Sequence, residues 1–168
     1  MFNRNNNEEN SEKTEKNEEN SEKTAEESQN KYKIDKKTAE LEFDNFCEMW
    51  DIDNDIDSMS EEDKEGFNRQ KTILVKAIRQ GRLILDKEKK TLLYTISEYS
   101  EKAGEQVVIR RMRGEDLMNS DKYKEGELVR KTYAIISSMT HLPISYIASL
   151  DTSDLKVLQT CMILFMQG

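Results

Sequence analysis

The densest run of hard oxygen ligands in the sequence is "DIDNDIDSMSEE", residues 51–62. Numbered as a calcium loop, it offers Asp51, Asp53 and Asp55 at the first, third and fifth positions, the Asp57 carbonyl at the seventh and Glu62 at the twelfth. Two requirements of such a loop fail. The sixth position, where glycine makes the sharp turn, holds Ile56, and the eighth holds Ser58 rather than an apolar anchor. A lone loop also lacks a second hand, so the run reads as an acidic linker or docking segment and not as a metal site. The one histidine, His141, sits just before Leu142 and Pro143, where capping a helix or facing solvent is its ordinary use. Cys47 and Cys161 lie in apolar segments without metal-ligand spacing and read as reduced, partly buried thiols. There is no glycine-rich phosphate loop, nucleophile elbow or His/Cys cluster. The expectation is a protein that is not an enzyme, with no catalytic residues, metal or cofactor.

Charge raises a second chemistry. Residues 41–65 carry 1 basic and 11 acidic groups, and residues 66–113 carry 12 basic and 5 acidic ones, in a chain of net charge -8. Arg79, Arg82, Arg110, Arg111 and Arg113, with Lys87, Lys89 and Lys90, could meet phosphates, and Tyr94 and Tyr99 could stack on bases. The net charge and the adjoining acidic belt argue against nucleic acid, and edge strands carry Lys and Arg simply to stay solvated.

These residues need elements to hold them. Residues 1–38 are nearly devoid of apolar side chains, and "NEENSEKT" at 7–14 recurs at 17–24, so this stretch reads as a disordered polar tail. It contains no secretory signal and the chain has no membrane-length apolar run, which predicts a soluble, cytoplasmic protein without membrane association. Residues 39–65 form an acidic helical or docking segment: Phe43, Phe46, Cys47 and Trp50 make a one-faced stripe, followed by Asp51, Asp53 and Asp55. That stripe suits either a core helix or a segment that folds onto a partner.

A firmer helix starts at Ser60, whose hydroxyl can cap it with Asp63, and stops at Gly81. The period then changes from 3.6 to 2: "RLILD" and "TLLYTI" around "KEKK" read as a hairpin from Arg82 to Ile96, and "QVVIRRM" at 106–112 as a third strand. A short helical turn follows in "GEDLMNSDKY". "EGELVRKTYAIISSM" then aligns Leu128, Thr132, Ile135 and Met139, Pro143 opens a short helix, and Asp151 caps the last one. That last helix bears two apolar stripes, Leu155, Leu158, Met162 and Phe165 beside Val157, Cys161 and Leu164, and must be buried between elements or await a partner. The fold class is α+β: one helix, a small antiparallel sheet of two to three strands, and a C-terminal cluster of three to four helices.

The order of these features resembles the phage tail assembly chaperone family of Mu-like and related tailed phages, over about residues 66–168. The resemblance rests on "ILVKAIRQGRLILDKEKKTLLYTI", on Gly114, Asp116 and Leu117 as a G-x-DL step, and on "THLP" at 140–143. It is completed by Leu150, Asp151, Asp154, Leu158 and Gln159 in the final helix. His141 stands where the family usually has glycine, and the charged connection at 97–106 replaces a compact turn. The resemblance implies a non-enzymatic factor that binds and solubilises the tape measure protein, recruits tail tube subunits, and is absent from the mature particle. Leu128, Ile135, Met139, Leu158, Met162 and Phe165 are the candidate partner-facing or core residues, and the last helix is a candidate for homo-oligomerisation. The alternatives are a small nucleic-acid-binding regulator using the basic strands and a structural tail completion protein.

Overall fold

The computed structural model describes residues 32–167, and the fold is α+β. The polar stretch assigned to 1–38 lies outside the described residues as far as residue 31. Lys36–Thr38, grouped with that stretch by composition, instead form the first turn of helix α1 (Lys36–Trp50). Asp35 caps it by accepting from the Thr38 N–H at 3.0 Å. A 3-10 turn at Ile56–Ser58 leads to α2 (Glu61–Arg79), whose N-cap is Ser60, accepting from the Asp63 N–H. Three acids in its first turn and two bases in its last complement the helix dipole.

Strands β1 (Leu83–Asp86), β2 (Thr91–Thr95) and β3 (Gln106–Arg110) form an antiparallel sheet in that order. Then come α3 (Gly114–Met118), α4 (Leu128–Thr140), α5 (Ile144–Ala148) and α6 (Thr152–Phe165). Pro143 is the N-cap of α5, one place before the first helical position expected for it. β3 ends at Arg110, two residues short of the expected limit, where the arginine side chain turns to a buried carboxylate.

Ile34–Gly168 is one compact unit, so the acidic segment 39–65 and the stretch 66–168 share a core. α6 packs against both α2 and α4. Its two stripes are both consumed there: Leu155, Leu158, Met162 and Phe165, and Val157, Cys161 and Leu164, are all buried. The Phe165 ring lies 5.7 Å from that of Phe46 and 5.1 Å from that of Trp50, which ties α6 to α1. Phe43 meets Phe67 edge-on at 5.8 Å, joining α1 to α2. Each such Leu, Met or Phe removed from water is worth roughly 1.5–3 kcal/mol. Among the described residues no helix is long and apolar enough to cross a membrane.

Candidate interaction surface

Among the described residues two carboxylates are wholly buried, and both belong to the motif positions noted in sequence. Asp154, in the first turn of α6, accepts from Tyr94 Oη at 2.7 Å, the Ser97 N–H at 3.0 Å and Ser97 Oγ at 2.8 Å. Arg82 closes the cluster by donating to both Asp154 and Tyr94. Burial, together with the bond to Asp154, pushes the Tyr94 phenol above its ordinary pKa. Asp116, in α3, receives a bidentate pair from Arg110 (2.8 and 2.6 Å), the Arg113 N–H at 2.7 Å and the Ser138 hydroxyl. Burial works to raise the Asp116 pKa, but these donors outweigh it and hold the carboxyl below its usual value.

Both clusters are structural rivets, each fully supplied with donors. They tie Arg82 just before β1, Tyr94 of β2 and Ser97 beyond it to α6, and β3 to α3 and α4. Arg82 and Arg110, considered as phosphate ligands from sequence, are committed inside the molecule. Tyr94, considered as a stacking surface, is fully buried.

Of the six candidate partner residues, Ile135, Met139, Leu158, Met162 and Phe165 are buried in the core, and only Leu128 is exposed. A side chain filling the core cannot also present a groove, so of the two roles left open in sequence these five take the core one, and the partner-facing role is left to Leu128. The last helix likewise keeps only Ile163 and Met166 as exposed large apolar residues, so it offers little to a second copy. In the acidic docking segment, Phe43, Phe46 and Trp50 face the core, while Asp51, Asp53 and Asp55 are exposed. Asp53 and Asp55 spend carboxylate oxygens on the Asp55 and Asp57 N–H groups, closing the loop upon itself. Among the described residues no group of three or more His, Cys, Asp or Glu side chains is placed to hold a metal. Cys47 and Cys161 are free and buried, with burial pushing each thiol up to about 12.

The open apolar surface lies elsewhere. Ile34 and Thr38, at the entry to α1, and Leu83, Ile84 and Leu85 of β1 form two sides of a cavity of about 290 Å³. Phe43, Phe46, Leu74, Ile78 and Leu92 line it further, and among the described residues Glu42 supplies its one charge. The entry is positioned by the Ile34 N–H donating to the Arg79 carbonyl at 3.0 Å. β1 is the end strand of the sheet, so its second edge has no strand partner among the described residues. On the outer sheet face Ile84, Leu93 and Val108 stand in register as an apolar row; Ile84 and Val108 are 48% and 49% exposed.

Sequence reasoning missed this groove. Its signal was faint: Ile34 lies in a charged stretch, and its partners are some fifty residues away, on β1.

No protein-family model, curated protein or solved structure matches this chain.

Proposed function

We propose that this protein is a phage or prophage tail assembly chaperone, a non-enzymatic factor that binds and solubilises the tape measure protein and recruits tail tube subunits. The observation that carries the reading is the apolar groove beside the β1 edge. A groove with an apolar lining suits an amphipathic helix laid along it, and an unpaired strand edge suits an extended segment. Both are ways to shelter apolar side chains of a long helical client. The proposed capture surface is therefore the groove and not the C-terminal helices.

The family's motif positions also have coherent physical roles here. Asp116 and Asp154 are the two buried anchors, and Asp151 is the N-cap of α6, accepting from the Ser153 N–H at 2.8 Å. His141, where the family usually has glycine, has φ 56° and ψ 25°, the left-handed conformation that glycine adopts most readily. Its imidazole Nε2 accepts from Arg110 Nε at 3.3 Å, a contact glycine could not make.

The test is co-expression with the tape measure protein, followed by pull-down and size exclusion at low and high salt. A soluble complex that survives high salt is expected, together with absence of the chain from purified particles. Failure of the tape measure protein to co-purify, or stoichiometric presence of the chain in particles, contradicts the reading.

A further inference from the structure

A second concavity, of about 620 Å³, lies where the β1–β2 hairpin tip meets the ends of α1 and α4. In a chain of net charge -8 its lining, among the described residues, holds Lys89, Lys90, Arg110, Arg111, Arg113 and His141 and no carboxylate. Arg110 is neutralised by Asp116. Arg113 has the exposed Glu115 at 3.4 Å, and Lys89 has the mostly buried Asp86 at 3.8 Å. Lys90 and Arg111 make no salt bridge among the described residues. A concave surface lined by one sign of charge concentrates its field and attracts the opposite sign.

The lining is also apolar: Val108 is half exposed, and Met49 and Met112 are partly so. Methionines and a bare valine have little to offer a sugar-phosphate backbone, but they adapt well to aliphatic side chains. Among the described residues the one aromatic in the lining, Trp50, is 3% exposed and presents no face on which a base could stack. The chain's net charge also opposes a densely charged polyanion more than a short acidic peptide.

We propose that this basic, methionine-lined concavity docks an acidic amphipathic segment of a partner protein, with its carboxylates on Lys90 and Arg111 and its apolar side chains on Val108, Met49 and Met112. The site is distinct from the β1 groove and does not depend on the tail-assembly reading, so either can fail alone.

Trp50 is the only tryptophan, and its place in the lining makes its fluorescence a local reporter. The full chain is titrated with a synthetic helical peptide bearing glutamates on one face and leucines on the other. A scrambled peptide of equal composition and an oligo-dT serve as comparators. The amphipathic peptide is expected to shift Trp50 emission and to bind at least about tenfold more tightly than the scrambled one. Lys90→Glu/Arg111→Glu should weaken it by a similar factor by setting like charges against its carboxylates, with the melting temperature unchanged. Absence of peptide binding, equal binding by the double variant, or tighter binding of oligo-dT at the same salt would each overturn the proposal. If the double variant loses stability, Arg111→Gln and Lys90→Gln, tested singly, carry the same comparison.

Discussion

Asp116 and Asp154 show what a buried carboxylate requires. Each is removed from water, and each remains tenable because an arginine, a serine hydroxyl and a backbone N–H converge on it. Breaking one such pair leaves the partner charge uncompensated, so Asp116→Asn should cost about 3–5 kcal/mol in a urea melt at neutral pH. The Asp116 carboxyl titrates lower in the folded chain than in the unfolded one. Its contribution is therefore complete above the ordinary aspartate value of about 3.9 and is lost as pH falls through the lower folded value. The stability gap between wild type and Asp116→Asn should narrow below about pH 4, and a gap that stays constant there would refute the assignment. The Asp154 pairing was not legible in sequence because Arg82 lies 72 residues away, and for Arg110, six residues from Asp116, an Arg gives no sign of whether it faces phosphate or a carboxylate.

At the scale of elements, local signals were readable and distant ones were not. Ser60 and Asp151 announced helix starts because a cap is chemistry between neighbours, and the change of period at Arg82 announced the hairpin. The end of β3 was misplaced because Arg111 and Met112 continue the strand pattern, while a contact from Arg110 to α3 ends it. His141 ends α4 in the left-handed region, where a β-branched residue is strained. His141→Val should cost about 1–2 kcal/mol, and His141→Gly should keep the melting temperature of the wild type. Equal melting of the Val and Gly variants would show that the turn relaxes away from this conformation.

At the scale of the whole molecule, α6 is a central strut, wedged against α2 and α4 and contacting α1 through Phe165. The two apolar stripes of its sequence implied burial, but periodicity cannot say whether the covering surface comes from the same chain or another. Here it comes from the same chain. Leu158→Ala should therefore destabilise by about 2–5 kcal/mol, whereas Leu128→Ala, on an exposed turn of α4, should stay within about 0.5 kcal/mol. A mild effect at Leu158 would mean that α6 is not packed as described. The capture surface proposed for this chain is instead the groove built by Ile34 and α1 against β1, a juxtaposition of segments distant in sequence.

That assignment is tested most directly by co-purifying the tape measure protein with wild-type chain, with Ile84→Asp and with Leu128→Asp. Ile84 is half exposed at the groove, so a charge there should leave the chain folded while sharply reducing capture, and Leu128→Asp should capture as wild type does. Undiminished capture by Ile84→Asp would contradict the groove as the binding surface.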